Sequence, residues 1–196
     1  VGGGRTQSGK PMLANDPHLP LTVPAFWYLA HLHWPGADAI GGSVPGVPGI
    51  IAGKTRTIAW GLTTTGADVQ DLYWEKLDPD NENFYAAPTG PVAFEARRET
   101  IKVRFGASKS IRILSSRHGP VLPTDEPRLK ALVPEGYALA VSWPALSEDD
   151  HTGETLLRIL DAQDASSNSV EYIFEPYTAP IQSFVYADTQ GHVGLI

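Results

Sequence analysis

The sequence predicts an α+β protein that is mainly β. Seventeen prolines and nineteen glycines among 196 residues disfavour a helical protein, because both residues destabilise helix interiors. They separate short runs rich in valine, isoleucine, tyrosine and threonine, which are residues that favour strands. Hydrophobic residues make up 42% of the chain and charged residues 19%, so the chain can build a substantial globular core.

Strands and turns alternate through the first half of the chain. A glycine-rich turn at residues 1–10 precedes a short buried strand predicted at 12–15. The aromatic run 25–34 is predicted to be a packed strand. Residues 41–49 are predicted to form a loop, because their two prolines remove donors that a central strand needs. A further strand is expected at 50–53.

The second half combines hairpins with two helices. Charged and apolar residues alternate in its first hairpin, which predicts one solvent-exposed face, and Pro176 is expected to end the second helix. The predicted elements are a strand at 72–76, a hairpin of 99–105 and 109–114, a buried strand at 137–143, helices at 152–162 and 166–174, and a hairpin of 181–187 and 192–196.

Charge and composition exclude several classes of function. The formal net charge is -7, whereas binding to nucleic acid requires clustered Lys and Arg. The basic residues at 97–104 alternate with other residues and are interpreted as a solvated strand face. The longest apolar run is too short to span a membrane. The chain has no cysteine, which excludes a disulfide framework, a zinc-thiolate site and a cysteine nucleophile.

The run at residues 58–71 combines features of two kinds of site. It is β-branched and aromatic, then reaches glycine and two carboxylates, Asp68 and Asp71. If both acids are buried they need a positive partner, and oxygen ligands at a strand end are what calcium accepts. The preceding threonines offer hydroxyls and, if the strand ends there, unpaired N–H groups for an oxyanion.

The histidines are weaker candidates for metal-binding or catalytic residues. His31 and His33 have a spacing that can bind zinc, but a packed strand with two hydrogen-bonded imidazoles is the preferred interpretation. His18 follows a turn and is interpreted as polar surface. His118 precedes Gly-Pro, which favours a turn. A triad of Ser116, His118 and an acid stays open as an alternative, although nucleophile-elbow glycines are absent around the serine.

Six motifs, in the same order along nearly the whole chain, resemble the β subunit of the penicillin acylase family. They are Leu13-Ala14-Asn15-Asp16-Pro17-His18-Leu19, Trp27-Tyr28 with His31-Leu32, Val44-Pro45-Gly46-Val47-Pro48-Gly49, Ile58-Ala59-Trp60-Gly61-Leu62-Thr63 with residues 66–73, Arg117-His118-Gly119-Pro120-Val121, and Phe184-Val185-Tyr186-Ala187-Asp188. One such motif alone is a weak signal, but six in order are specific.

The resemblance implies an N-terminal nucleophile hydrolase fold, so the chain is expected to form part of an αββα sandwich. Residues 1–196 are expected to be a single fragment of the β subunit, truncated at both ends relative to the family. In this family a precursor cuts itself, and the serine exposed at the start of the β subunit attacks an amide with its own α-amine as base. Val1 aligns about five residues further in, so the nucleophile is expected to lie outside this chain, and Ser8 does not replace it.

The resemblance also assigns roles to residues of this chain. The backbone N–H of Thr64 is expected to donate to the oxyanion, with the second donor, an asparagine, beyond Ile196. His18 is expected to support the nucleophile. The expected acyl-pocket residues are Leu19, Ile51, Ala52 and Leu62. The expected calcium ligands are Asp68, Asp71 and the carbonyl of Gln70, completed by ligands outside this chain.

The implied function is hydrolysis of the amide bond in a small N-acyl substrate, a β-lactam or another acylamine, by the parent protein. The expected partners are an α subunit and the remainder of the β subunit, with neither nucleic acid nor membrane, in a periplasmic or secreted protein. The fragment alone is expected to be inactive. Lys54 and Thr55 stand where relatives often carry His-Asn, so substrate preference is not transferred. The alternative is a noncatalytic β-rich module that binds a ligand through Phe26, Trp27, Tyr28 and Trp34, or that is purely structural.

Overall fold

The structure is a computed structural model that describes residues 1–163 and 167–196. The chain divides into two compact units. Unit 1 comprises Val1–Ala67 and Glu148–Ile196, and unit 2 comprises Asp68–Ser147. Strands predominate over helices in the described chain, which confirms the prediction of an α+β protein that is mainly β.

The strands follow the chain in the order β1 (Tyr28–Trp34), β2 (Ala37–Ser43), β3 (Ala52–Lys54), β4 (Ile58–Thr64), β5 (Asp71–Lys76), β6 (Phe84–Ala87), β7 (Gly90–Ala93), β8 (Glu95–Ile101), β9 (Lys109–Ser116), β10 (Gly119–Pro120), β11 (Tyr137–Ser142), β12 (Gln182–Asp188) and β13 (Val193–Leu195). The α-helices are α1 (Pro127–Lys130), α2 (Thr152–Asp161) and α3 (Ser167–Phe174), and short 3-10 helices occupy Gly3–Arg5 and Pro144–Leu146.

Unit 1 is built on a six-stranded sheet with the order β1-β2-β3-β4-β12-β13. All of its neighbouring strands are antiparallel. The β-branched and aromatic residues of β4 place this strand between β3 and β12, where Trp60 lies opposite Tyr186. Trp60 is only 2% exposed, and its Nε1 donates to the carbonyl of Ile51 at 3.0 Å. Strand β4 is therefore a central strand of the unit 1 sheet and contributes a buried residue to its core.

Helices α2 and α3 contribute to the core of unit 1. Side chains from both helices and from the sheet form one buried cluster, in which the rings of Phe174 and Phe184 stack with centroids 4.0 Å apart. The buried residues of α2 are Thr155, Leu156 and Ile159, which recur at the helical spacing. The helix predicted at 152–162 is confirmed. Of the second predicted helix, Ser166 lies outside the described residues, and the remainder forms α3.

The strand predicted at residues 12–15 is wrong. Met12 is 63% exposed, and the segment is not assigned to a regular strand. Prolines at positions 11 and 17 flank it and cannot donate to a ladder. Two contacts hold it instead: Val1 and Met12 exchange N–H···O bonds of 2.7 and 2.9 Å, and Asn15 Nδ2 donates to the carbonyl of Leu62 at 3.1 Å.

The predictions for residues 25–53 need correction. Strand β1 is not packed, because it lies at the sheet edge and most of its residues are exposed. His31 Nε2 contacts Asp38 Oδ2 at 3.2 Å, but the His33 imidazole has no hydrogen-bond partner among the described residues, so the expected pair of hydrogen-bonded imidazoles is wrong. The loop predicted at 41–49 begins only after Ser43, because Gly41 and Gly42 pair with β3.

Unit 2 contains three small antiparallel sheets, β10-β9-β8, β11-β5 and β6-β7. The predicted hairpin exists as β8 and β9, but β8 is exposed along its whole length. The prediction of a single solvent-exposed face is therefore wrong for β8. The strand predicted at 137–143 is present as β11, with Leu139 and Ala140 buried. In the described part of the chain, every helix is too short or too polar to cross a bilayer.

Candidate active site

A cavity of about 540 Å³ in unit 1 gathers four of the residues proposed from the sequence, Leu19, Ile51, Leu62 and Thr64. They come from three separated segments of the chain, and most of the remaining wall is apolar. Ala52 does not line this cavity but a neighbouring one. Successive residues of an extended chain point in opposite directions, which accounts for the separation of Ile51 from Ala52.

Thr64 is the last residue of β4 and lies opposite Gln182 in the register with β12. Gln182 Nε2 lies 3.4 Å from Thr64 Oγ1, and both residues line the cavity. Thr64 is exposed, and the chain leaves the sheet immediately after it. The cavity thus has an apolar interior and a polar lip at the end of β4, which is suited to an apolar group attached to a polar reacting centre.

His18 is placed beside the cavity but outside its lining. Its neighbours Pro17 and Leu19 line the cavity, whereas its own side chain is 82% exposed and lies 3.7 Å from Asp16 Oδ2. The backbone of His18 has a φ of 48°, which is uncommon for a residue other than glycine and marks a tightly specified turn.

A network of hydroxyl and carboxylate groups fixes the wall of the cavity at the start of α2. Asp150 accepts hydrogen bonds from the Thr152 N–H at 3.2 Å, from the Thr152 hydroxyl at 2.6 Å and from the Thr178 hydroxyl. Thr152 Oγ1 accepts in turn from the N–H groups of Thr178 and Ala179, at 3.2 and 3.0 Å. The Thr152 hydroxyl is the largest cause that lowers the pKa of Asp150, followed by the Thr178 hydroxyl.

Replacing Asp150 by asparagine is expected to lower the free energy of unfolding at pH 7 by about 1 kcal/mol, because charge-assisted hydrogen bonds are lost at a solvated site. Since the pKa of Asp150 is lower in the folded state, its stabilising effect is present above the unfolded pKa of about 3.9. The effect disappears as the pH falls through the folded pKa. Melting temperatures measured from pH 7 to pH 3 should converge for D150N and the unmodified protein, and a gap that persists unchanged at pH 3 contradicts this assignment.

The cavity wall contributed by the Glu148–Ile196 segment of unit 1 was not predicted from the sequence. Leu156, Tyr177 and Gln182 line the cavity together with the residues named above. Burial, and then the charge of Asp150, raise the pKa of Tyr177 to about 12, so this phenol is neutral at ordinary pH. Local patterns place these residues on a helix, a turn and a strand, but only the pairing of β12 with β4 brings them to Thr64.

The four aromatic residues proposed to bind a ligand in the noncatalytic alternative do not share one environment. Phe26 and Trp27 line the cavity, and their rings meet edge to face at a centroid distance of 5.9 Å. Tyr28 is exposed on the edge strand, and Trp34 packs against the core of unit 1. The run is therefore not one continuous aromatic surface.

The candidate serine-histidine pair is engaged in a turn of unit 2. Ser116 Oγ accepts a hydrogen bond from the backbone N–H of His118 at 3.1 Å. The imidazole of His118 lies elsewhere, with Nδ1 2.7 Å from the buried Glu75 carboxylate and its ring stacked on Tyr73 at 3.8 Å. The structure thus joins Ser116 to the backbone of His118, which supports the turn interpretation.

The three proposed calcium ligands lie at the entry to β5 in unit 2. Asp68, Gln70 and Asp71 are exposed, so the two acids are not buried together and burial does not require a cation beside them. Their oxygens are the kind of ligand that calcium takes, but calcium needs about six to eight. Among the described residues, no group of three or more His, Cys, Asp and Glu side chains is placed to hold a metal. The described residues alone therefore do not complete a metal site, and the calcium assignment stays a prediction.

Comparison with known proteins identifies the family. A family model described as penicillin amidase matches residues 1–196. The chain belongs to the penicillin amidase family. This finding agrees with the ordered motifs of the sequence, and it makes the cavity beside Thr64 the candidate active site of a penicillin amidase family member.

Similar proteins are acylases by name. The chain is 35% identical to the penicillin acylase 2 proenzyme of Pseudomonas sp. strain SE83 over 161 residues, which are 81% of this chain and 20% of that protein. It is 38% identical to the acyl-homoserine lactone acylase QuiP of Pseudomonas aeruginosa over 121 residues, 60% of this chain and 14% of that protein.

A solved structure shares the fold. The thermostable penicillin G acylase from Alcaligenes faecalis matches with a TM-score of 0.74 and 27% identity, over 92% of this chain and 31% of that chain. This penicillin amidase family chain therefore spans a third or less of the length of these acylases.

Proposed function

We propose that the protein to which this chain belongs hydrolyses the amide bond of small N-acyl substrates, β-lactams or other acylamines, through an N-terminal serine outside these 196 residues. One observation carries the proposal. Leu19, Ile51, Leu62 and Thr64 line one mainly apolar cavity, and Thr64 lies at its polar lip. In this arrangement the cavity binds the acyl group and the Thr64 N–H faces the carbonyl oxygen.

The pairing of Val1 with Met12 supports the proposal of a serine that precedes Val1 and lies near the polar lip. The two residues exchange both N–H···O bonds, which is the pattern of a hydrogen-bonded antiparallel pair. If the residues before Val1 continue this antiparallel pairing, they lie beside Leu13, then Asn15, and then Pro17. Asn15 is bonded to Leu62 and Pro17 lines the cavity, so a serine about five residues before Val1 would face the lip.

Such a serine needs a base and an oxyanion donor. Its own α-amine titrates near neutrality and can accept the hydroxyl proton. The Thr64 N–H can stabilise the oxyanion, an interaction worth about 2.7–4 kcal/mol when one donor is removed from such a hole. In this mechanism His18 supports the nucleophile from beside the lip, and a second donor comes from outside the chain.

The remaining features of the parent protein follow the same proposal. The six-stranded sheet with α2 and α3 would form part of an αββα sandwich. Further segments, an α subunit and the rest of the β subunit from one precursor, would complete it in a periplasmic or secreted heterodimer.

The deciding experiment uses the full-length protein. We expect the mature β subunit to begin with serine about five residues before Val1, as read by intact mass and N-terminal sequencing. Purified protein should release the amine from an N-acyl amide, and changing that serine to alanine should lower kcat by at least about 10⁴-fold, because the nucleophile is removed. A different mature N-terminal residue, or full activity in the alanine variant, contradicts the proposal.

Calcium is proposed as a structural ion held partly by Asp68, Asp71 and the Gln70 carbonyl. If the ion binds only the folded protein, its removal by a chelator should lower the melting temperature. Asp71→Asn should reduce this response, whereas Asp80→Asn, in the exposed acidic turn of unit 2, should leave it unchanged. A melting temperature indifferent to the chelator in the unmodified protein argues against the ion.

A further inference from the structure

A second cavity in unit 1 collects basic side chains. It has a volume of about 310 Å³ and is lined by Lys10, Lys54 and Arg56, together with hydroxyl-bearing Thr57 and Thr189. Lys10 comes from the start of the chain, whereas Lys54 is the last residue of β3 and Arg56 lies between β3 and β4. The cavity is about ten times the volume that one water molecule occupies in the liquid, so it can hold a small organic anion.

The concentration of cations is unusual for this part of the molecule. The lysine and arginine residues of unit 1 are Arg5, Lys10, Lys54, Arg56 and Arg158, and three of these five line this cavity. The whole chain is acidic, with a formal charge of -7, so carboxylates are not scarce. Among the described residues, however, no carboxylate forms an ion pair with any of the three.

One acid, Asp188, lines the same cavity, but its charge is engaged elsewhere. Its side chain is 1% exposed. It accepts from the backbone N–H groups of Gln190 and His192, both at 2.9 Å, and lies 2.8 Å from His192 Nδ1. Burial opposes ionisation, but the hydrogen bonds from His192 outweigh it and lower the pKa of Asp188. Asp188 is therefore ionised at pH 7, but it forms no ion pair with Lys10, Lys54 or Arg56, and these three cations outnumber the one carboxylate in the cavity lining.

We propose that Lys10, Lys54 and Arg56 bind the phosphate group of a small phosphorylated molecule in this cavity. An arginine guanidinium presents paired donors to phosphate oxygens, and lysines add point charges. A phosphate monoester carries about -1.5 to -2 charges at pH 7, which matches three cations better than a single carboxylate does. Thr189 lines the same cavity, and a threonine hydroxyl can donate a hydrogen bond to a phosphate oxygen.

The site is separate from the candidate active site. It lies at the Ile58 end of β4, whereas Thr64 is at the other end of the strand, about 20 Å away at about 3.4 Å per residue. Binding here goes beyond the proposed hydrolysis and does not depend on it. Phosphate should therefore stabilise unit 1 without changing kcat.

The test measures melting temperature and binding in the full-length protein. Inorganic phosphate should raise the melting temperature saturably, by about 2 °C or more, relative to sodium chloride at the same ionic strength. Lys54→Gln and Arg56→Gln should each weaken phosphate binding, measured by calorimetric titration, by about tenfold or more. Arg5→Gln, in the same unit but outside the cavity lining, is the matched control and should bind like the unmodified protein.

Three outcomes overturn the proposal. The first is an equal melting temperature in phosphate and in chloride at the same ionic strength, which would mean that the cavity does not bind phosphate specifically. The second is that Lys54→Gln and Arg56→Gln bind phosphate as tightly as the Arg5→Gln control does. An equal response to citrate would show that the cavity recognises carboxylates, which overturns the phosphate assignment.

Discussion

Replacing Trp60 by alanine is expected to lower the free energy of unfolding of unit 1 by about 3–5 kcal/mol, the usual cost of truncating a buried aromatic residue. Trp60 is in the core between the sheet and its helices, and its indole N–H bond to Ile51 is lost as well. Because Ile51 lines the candidate active site, W60A should also reduce the amide hydrolysis that we propose for the full-length protein. Urea denaturation followed by circular dichroism measures the stability change.

The matched control is Trp74→Ala in unit 2. Trp74 is 61% exposed, although its Nε1 also donates to a carbonyl, that of Leu132, at 3.0 Å. Its truncation should cost about 1 kcal/mol, the typical net worth of one hydrogen bond. Equal losses in W60A and W74A would contradict the placement of Trp60 in the core.

Replacing His118 by alanine is expected to lower the free energy of unfolding of unit 2 by about 3–5 kcal/mol, because it leaves a buried carboxylate without its partner. Glu75 is only 3% exposed, and its Oε1 lies 2.7 Å from His118 Nδ1. The stacking of Tyr73 on the imidazole is lost too. The stability change can be followed by hydrogen exchange of the β5 and β11 amides.

A double-mutant cycle isolates the carboxylate from the lost packing. Glu75→Gln removes the charge but keeps a hydrogen-bonding side chain of similar size. The double variant Glu75→Gln with His118→Ala should therefore be more stable than His118→Ala alone. If the double variant is the less stable of the two, burial of the Glu75 charge is not the source of the effect.

The sequence predicted the elements with strong local signals. The β-branched run of β4, the alternating residues of β9 and the helical spacing in α2 all lie where local pattern placed them. Local pattern failed at residues 12–15, because an apolar run between two prolines is held by Val1 and Leu62 and does not join a ladder. It also failed for β8, whose alternation does not correspond to a buried face.

The candidate site was predictable only where a motif covered or adjoined it. Leu19 and Leu62 lie in ordered motifs of the family, Thr64 and Ile51 follow such motifs by one and two residues, and all four meet at one cavity. Tyr177 and Gln182 reach the same cavity through the pairing of β12 with β4, two segments more than a hundred residues apart, and such pairing is set by tertiary packing rather than by local pattern. The Lys10, Lys54 and Arg56 cluster is likewise assembled from distant segments.

The contact between Asn15 and Gly61 has a consequence for how this protein can vary. A Cβ atom at position 61 would overlap the Asn15 side chain, which also donates to Leu62. The two positions therefore cannot mutate independently: alanine at 61 should be tolerated only after residue 15 becomes smaller. This strong epistasis constrains the evolutionary routes by which the segment carrying Pro17 and Leu19 can be remodelled, because its attachment to β4 depends on the absence of one methyl group.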